Sequence, residues 1–230
     1  MMKVGLLVIA TNKYLNYARS LYQSMQDFFL NEPGIDCQMF LFTNQPAFPG
    51  PVVLEQAHEP WPAMTLKRYE IFYKHRRRLA EMDYLYYSDA DMLFVDPVGR
   101  EILGERVATR HPGFWNCPRP VLPYEANPAS TAYVSPEEGG IYYAGGFNGG
   151  SSAAFLEMAR AISVNIRRDL ERGYIAVWHD ESHLNRYLID HPPSVTLNPD
   201  YCFPEAEWAR NLPFRRILVA LDKDHDEVRN

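Results

Sequence analysis

The feature that most constrains the fold is a strand-helix-strand pattern at the start of the chain. Residues 3–10 form a nearly continuous apolar run, which is typical of a strand buried on both faces of a parallel sheet. Apolar residues then recur at helical spacing from Tyr14 until Pro33 and Gly34 end the pattern, and residues 36–43 are again apolar. Parallel strands joined by a helix cross over in the right-handed sense. The pattern therefore predicts an α/β protein with ligands at the carboxyl ends of its strands.

The other elements follow from apolar periodicity and turn residues. We predict a proline-rich loop over 46–62, a helix over 65–82, a strand from Tyr84, loops and short antiparallel strands over 96–150, a helix from Ser151 or Ser152 to Gly173, and a helix over 180–190. With 230 residues and 47% hydrophobic content, the chain can bury a substantial core, and we expect one domain.

The overall charge and the cysteines exclude several classes of protein. The net charge of −6 argues against a nucleic-acid-binding surface. Cys37, Cys117 and Cys202 are widely spaced and odd in number, so they predict neither a disulfide framework nor a zinc site. The apolar run at 4–10 is too short for a signal peptide or a membrane span. We expect a soluble cytoplasmic protein without a membrane anchor; the sequence leaves its oligomeric state open.

Two carboxylates interrupt the aromatic-rich run from Tyr84 to Phe94, which predicts a strand that ends where the carboxylates begin. In an extended strand, Asp89 and Asp91 would project to one side around the small Ala90. That spacing suits Mg²⁺ or Mn²⁺, which takes one or two carboxylates and fills its remaining positions with water and substrate phosphate. The alternative is two solvated carboxylates that close a strand, and an Asp-X-Asp motif alone does not separate the two interpretations.

A second dense cluster occupies residues 178–183. His179 and His183 lie four residues apart, as in zinc proteases, but the order of the acidic residues between them does not match that motif. The cluster instead predicts a helix N-terminus in a substrate cleft, with Asp180 and Glu181 in the first turn. The same carboxylates at a helix start without any catalytic role are the alternative.

Paired glycines mark residues 142–151, and arginines mark residues 76–78. The glycines permit close backbone approach to another strand or to a ligand, but they match neither a P-loop nor a dinucleotide-binding motif. The basic run is interpreted as a solvated helix face.

Together these segments resemble glycosyltransferase family 6, the family of the histo-blood-group A and B transferases and α-1,3-galactosyltransferase. The similar segments occur in the family's order: Ile9-Ala10-Thr11 with Tyr14, Trp61 with Lys67-Arg68, Asp89-Ala90-Asp91-Met92, His111-Pro112-Gly113-Phe114, Tyr142 to Phe147, and Trp178 to Asn185. The resemblance implies one GT-A catalytic domain over 1–230, with a Rossmann-like half and a mixed central sheet. Residues 1–95 would mainly bind UDP, 96–220 the donor sugar and acceptor, and 221–230 would form a closing tail.

The resemblance also assigns roles to residues. The implied nucleotide-binding residues are Ile9, Ala10, Thr11, Tyr14, Arg68, Asp89, Ala90, Asp91 and Lys223. Asp89 and Asp91 would bind the diphosphate through Mn²⁺ or Mg²⁺. The implied donor-sugar residues are Arg68, Ala144, Gly145, Gly146, Asp180 and Glu181, with Glu181 as the catalytic carboxylate. The implied acceptor contacts are His111, Trp178 and Glu205.

The implied reaction is the retaining transfer of galactose or N-acetylgalactosamine from a UDP-sugar to the 3-hydroxyl of a β-galactoside-type oligosaccharide, fucosylated or not. The small residues Ala144, Gly145 and Gly146, at the implied pocket for the C2 substituent, predict UDP-GalNAc as the preferred donor. Use of UDP-galactose is the alternative. The chain resembles soluble microbial members of the family, yet it keeps two aspartates where many bacterial members have asparagines. Pro123 stands where animal members often have a polar acceptor contact. A nucleotide-sugar hydrolase and a catalytically silent carbohydrate-binding protein remain as alternatives from other functional classes.

Overall fold

The structure, a computed structural model, describes residues 1–223. Its helices are α1 (Tyr14–Phe28), α2 (Ala63–Lys74), α3 (Arg76–Leu79), α4 (Ser152–Glu171) and α5 (His179–Asp190). Its strands are β1 (Met2–Ile9), β2 (Ile35–Thr43), β3 (Val52–Glu55), β4 (Tyr84–Ser88), β5 (Met92–Phe94), β6 (Arg106–Arg110), β7 (Tyr143–Ser151), β8 (Val195–Leu197), β9 (Phe203–Pro204) and β10 (Leu218–Ala220).

A seven-stranded mixed sheet forms the centre of the molecule. Its strand order is β3-β2-β1-β4-β7-β6-β8. The first four strands of that order run parallel, as predicted from the N-terminal pattern, and β7 then runs antiparallel to both β4 and β6. A second sheet has the order β5-β10-β9. This mixed α/β architecture confirms the predicted fold class and is consistent with a GT-A fold.

The alternation of side chains along β1 distributes the core to both faces of the central sheet. Val4, Leu6 and Val8 pack on one face with Met25 of α1. Leu7 points to the opposite face, where it joins the cluster formed with α2, α4 and α5. Both faces of β1 are therefore buried, which explains why its sequence is apolar throughout rather than alternating.

Two glycines allow β7 to pass between its neighbours. A Cβ atom on Gly149 would lie 2.4 Å from the carbonyl oxygen of Leu85, and one on Gly150 would lie 2.1 Å from that of Glu105. Gly150 also has a φ of +143°, which side-chain-bearing residues rarely adopt. These two glycines therefore serve strand packing rather than ligand binding.

Several local predictions were wrong. The helix expected over 65–82 ends at Lys74, and the short α3 follows after His75. The proline-rich loop contains β3, which pairs in parallel with the edge of β2. Strands β8 to β10 were not predicted at all. Within residues 1–223, no helix has the length and apolarity needed to cross a membrane.

Candidate active site

A cleft of about 370 Å³ opens at the carboxyl ends of β1 and β4 and beside the N-terminus of α5. Its volume lies in the range of small-molecule sites. Most of the predicted site residues line it: Ile9, Thr11, Tyr14, Arg68, Asp89, Ala90, Asp91, Gly145, Gly146, Trp178, Asp180, Glu181 and Lys223. The fold thus brings together residues from Ile9 to Lys223 that the family resemblance had assigned to one site.

Four predicted residues do not line the cleft. Ala10 and Ala144 are buried in the protein interior. His111 packs against Tyr142 with ring centroids 5.8 Å apart, and burial lowers its pKa to about 4. Glu205 accepts a hydrogen bond of 2.9 Å from the Asp222 amide, so it supports the segment that carries Lys223. The ligand-binding roles of these four residues stay predictions.

Arg68 is the electrostatic centre of the cleft. From α2 it reaches Asp180 Oδ2 at 3.1 Å and Asp89 Oδ1 at 3.2 Å, and it donates to the Gly145 carbonyl at 3.2 Å. Its guanidinium carbon lies 4.2 Å from the centre of the Tyr87 ring. The arginine therefore links β4, through the Tyr87 ring, to β7 and α5, and its two acidic partners come from α5 and from the turn that follows β4.

Asp180 and Glu181 occupy the first turn of α5. Just before them, His179 has a φ of 52°, a left-handed conformation that redirects the chain into the helix. Burial raises the pKa of Asp180 to about 6, with Arg68 opposing the rise. Burial also raises the pKa of Glu181 to about 7, with the Gly145 amide opposing the rise. Both carboxylates are thus more easily protonated than in solvent.

Asp89 and Asp91 lie in a turn between β4 and β5, because β4 ends at Ser88. The strand thus ends where the carboxylates begin, as predicted, whereas the extended conformation expected over Asp89 and Asp91 was wrong. Both side chains still face one cleft. Tyr87 donates a short hydrogen bond to Asp89, and the Lys223 ammonium contacts the Asp91 carboxylate. Burial and the charge of Asp89 raise the pKa of Asp91.

The donor set at this turn fits a substrate-assisted metal site. Within residues 1–223, no three His, Cys, Asp or Glu residues converge as ligands for a metal ion. Two neighbouring carboxylates are nevertheless what Mg²⁺ or Mn²⁺ uses when a bound diphosphate supplies further oxygens. The pair would have to exchange its present contact with Lys223 for such an ion.

Lys223 reaches the cleft through strand pairing. β10 pairs antiparallel with β5, and the Leu221 amide donates to the Asp91 carbonyl at 2.9 Å. The Lys223 nitrogen then lies 5.4 Å from the centre of the Tyr14 ring. The rest of the predicted closing tail, including His225 and Arg229, lies outside the described residues.

Sequence reasoning assigned no role to several residues that line the cleft. They are His58, Glu59, Trp61, Met64, Thr65, Tyr87 and His179. His58 Nδ1 lies 2.9 Å from the Thr11 hydroxyl, at the predicted uridine end. His58 was not predicted because it lies in the proline-rich loop, whose sequence has no periodic pattern. Tyr87 was not predicted because it lies in an aromatic-rich strand, where a tyrosine is expected to pack in the core. Trp61 and Trp178 each leave 49% of their surface exposed, so they offer apolar walls.

The mixed sheet and the acidic cleft at its strand ends together define a protein of the GT-A class. The chain belongs to glycosyltransferase family 6, whose family model matches residues 1–230.

Curated relatives are found in animals and in a bacterium. Globoside alpha-1,3-N-acetylgalactosaminyltransferase 1 of Canis lupus familiaris is 37% identical over 88% of this chain, which spans 61% of that relative's length. Histo-blood group ABO system transferase 1 of Rattus norvegicus is 34% identical over 99% of the chain and 68% of its own length. O-antigen biosynthesis glycosyltransferase WbnI of Escherichia coli is 29% identical over 98% of the chain and 97% of its own length.

Proposed function

We propose that the protein is a retaining α-1,3-glycosyltransferase that moves N-acetylgalactosamine from UDP-GalNAc to the 3-hydroxyl of a β-galactoside-type acceptor. This proposal rests mainly on the two ion pairs of Arg68, to Asp89 at 3.2 Å and to Asp180 at 3.1 Å. Asp89 lies at the predicted diphosphate end of the cleft and Asp180 at the predicted sugar end, so the arginine joins the two ends. Membership of glycosyltransferase family 6 supports the reaction class.

The acidic turn suits the leaving group. A divalent ion held by Asp89 and Asp91 would supply positive charge where breakage of the glycosidic bond leaves negative charge on UDP. Lys223 would add a second positive charge at the same end. In the present arrangement its ammonium neutralises Asp91, so the cleft already holds a cation where the diphosphate would sit.

Glu181 suits the anomeric centre. Its carboxylate is held by the Gly145 amide at 2.7 Å, in a strand that also faces the predicted donor sugar. An ionised carboxylate there stabilises an oxocarbenium-like centre, either as a nucleophile that forms a covalent glycosyl intermediate or as electrostatic support for front-face attack. Both routes retain the anomeric configuration.

Small residues favour the larger donor. Gly145 and Gly146 line the cleft without side chains, which leaves room for an acetamido group at C2 of the sugar. The relative from Canis lupus familiaris is named as an N-acetylgalactosaminyltransferase, which points the same way. UDP-galactose is the competing donor. On the acceptor side, the half-exposed ring of Trp178 offers a face on which a sugar can stack.

The test is a matrix of UDP-GalNAc and UDP-galactose against β-galactoside acceptors, with and without fucose, in the presence of Mn²⁺. We expect an α-1,3-linked disaccharide unit, with its anomeric configuration determined by NMR. Release of free sugar at the same rate with and without acceptor would identify a nucleotide-sugar hydrolase instead. UDP-sugar binding without turnover would identify a carbohydrate-binding protein.

A further inference from the structure

Among residues 1–223, two carboxylates outside the cleft are buried and have no part in the proposed chemistry. Glu125 is 3% exposed and Asp169 is 1% exposed. A buried charge is energetically costly unless hydrogen bonds compensate it. The hydrogen-bond partners of each carboxylate therefore indicate which part of the structure it stabilises. Both carboxylates hold one segment, residues 125–138: Glu125 holds it against the chain that leads into α5, and Asp169 holds it against α4.

Glu125 bridges two backbone amides. Its Oε1 accepts from Asn127 at 2.8 Å within its own segment, and its Oε2 accepts from Val177 at 2.8 Å. Val177 directly precedes Trp178. The Glu125 carboxylate therefore fixes the point from which the predicted acceptor tryptophan projects.

Asp169 fixes the same segment from the last turn of α4. It accepts from the Ser130 hydroxyl at 2.6 Å and from the Thr131 amide at 2.9 Å. The Thr131 hydroxyl donates to the Asn165 carbonyl at 3.0 Å. His183 of α5 lies 3.7 Å from Asp169, and burial lowers the pKa of that histidine to about 4. The base of the segment is thus a compact polar network.

The other side of Glu125 leads to His111. Its neighbour Tyr124 packs on Tyr142 with ring centroids 5.4 Å apart, and Tyr142 packs on His111 at 5.8 Å. The backbone amide of His111 also donates to the Tyr142 carbonyl at 2.9 Å. Glu125 therefore connects two parts of the protein: through Tyr124 it adjoins the aromatic cluster that contains His111, and through the Val177 amide it holds the segment that contains Trp178.

We propose that Glu125 is a positioning residue for the acceptor, which sets the place of Trp178 relative to His111 through its hydrogen bond to the Val177 amide. This inference rests on the proposed transferase function. Glu125 does not line the donor cleft, and none of its hydrogen bonds reaches Arg68, Asp89 or Glu181. Its effect should therefore fall on the acceptor and not on UDP-sugar binding.

The experiment compares Glu125→Gln with wild-type enzyme in steady-state kinetics. A glutamine has one acceptor oxygen and cannot accept from both amides, so we expect the KM for the acceptor to rise about tenfold, as for one lost buried hydrogen bond. The KM for the donor and the slow hydrolysis of UDP-sugar without acceptor should stay within about twofold of wild type, since no donor-side hydrogen bond is lost. Equal changes on the donor and acceptor sides, or an unchanged acceptor KM, would overturn the inference.

Glu138→Gln is the matched control. Glu138 lies in the same segment and pairs with Arg186 of α5 at 3.0 Å, but its side chain is 40% exposed and it does not hold the Val177 amide. This variant should leave both KM values unchanged. If Glu125→Gln fails to fold, Glu125→Asp keeps the charge while shortening its reach, and it should raise the acceptor KM selectively by a smaller factor.

Failure of the transferase proposal is distinguishable. If the wild-type protein transfers no sugar, hydrogen exchange of residues 174–178, the segment that Glu125 holds at the Val177 amide, tests the positioning role directly. Exchange that is faster in Glu125→Gln than in Glu138→Gln, and confined to those residues, would support it. Unchanged exchange there would overturn it whatever the reaction.

Discussion

The Gly145 amide donates a hydrogen bond of 2.7 Å to Glu181 Oε2, so the predicted catalytic carboxylate is fastened to the predicted sugar pocket. Gly145 lies in β7 and Glu181 in α5, so this hydrogen bond joins two separate elements and holds the carboxylate next to the strand. A Cβ atom on Gly145 would lie 3.3 Å from the same oxygen. In the proposed reaction, this one backbone group would therefore couple donor choice to catalysis.

Replacing Glu181 by glutamine should sharply lower kcat while UDP binding and the fold persist. The amide keeps the shape and the bond to Gly145 but removes the charge that, in the proposed reaction, would face the anomeric carbon. We expect a loss of roughly a hundredfold or more, the scale of one lost electrostatic contact in a transition state. Turnover at the wild-type rate would mean that Glu181 is only a helix-terminus acid.

The same substitution should stabilise the protein at alkaline pH. Burial raises the pKa of Glu181 from 4.5 to about 7, so between these values the folded state binds more protons than the unfolded state, and stability falls as pH rises. Glutamine removes that penalty. We expect urea denaturation at pH 8 to show a gain of about 1 to 3 kcal/mol, which disappears near pH 4. Exposed Glu207→Gln serves as the control, and a less stable Glu181→Gln at pH 8 would contradict the expectation.

Metal removal should abolish transfer if Asp89 and Asp91 hold a divalent ion. Excess chelator should reduce turnover roughly a thousandfold, and Mn²⁺ should restore it better than Ca²⁺, which suits larger and more flexible sites. Asp89→Asn and Asp91→Asn should each be severe, whereas Asp96→Asn, at a surface pair with Arg215, should be nearly silent. Full activity in chelator would exclude the metal role.

Gly146→Ala should shift donor preference from UDP-GalNAc toward UDP-galactose. The added Cβ would lie 3.2 Å from Asp89 Oδ2 and 3.3 Å from Cys202 Sγ, so it crowds the acidic turn beside the predicted sugar pocket. We expect the ratio of kcat/KM values to change about ten- to a hundredfold. Adding Cys202→Ala gives back space on one side and should restore part of the rate while the changed preference persists. A wild-type preference for UDP-galactose would refute the donor assignment.

Lys223→Ala should weaken UDP binding by about tenfold, as expected for one charge-assisted contact. Isothermal titration calorimetry measures the change directly. Deletion of all residues after Ala220 should weaken UDP binding at least as much and should also reduce transfer. Lys74→Ala, at the exposed end of α2, is the control. Unchanged affinity in the truncated protein would show that the closing role does not apply to this chain.

The sequence predicted the elements that have a strong local pattern of their own. β1 and β2 are continuous apolar runs, α1 and α4 repeat apolar residues at helical spacing, and α5 begins at an acidic cluster; the structure confirms all five. β8 and β10 have three residues each and β9 has two, which is too short for any period to appear. These short strands form because they pair with other segments of the chain, and the local sequence does not show which segments will pair.

The site divides in the same way. The turn at Asp89 and the start of α5 could be located because acidic residues are concentrated there, and family resemblance assigned them roles. The contact between Lys223 and Asp91 depends on the pairing of β10 with β5, which was not predicted. His58 likewise enters the cleft from a loop whose path depends on β3 and β2.

Gly149 and Gly150 have a consequence for engineering the enzyme. Backbone atoms occupy the places where their side chains would be, so any larger residue must push β4 or β6 aside. β4 ends at the turn that carries Asp89, so a displaced strand would also move that carboxylate. In a library of variants, these positions should lose activity while the proteins remain soluble. Stabilising substitutions are better sought on the exposed surface of α3 and α4, away from this strand.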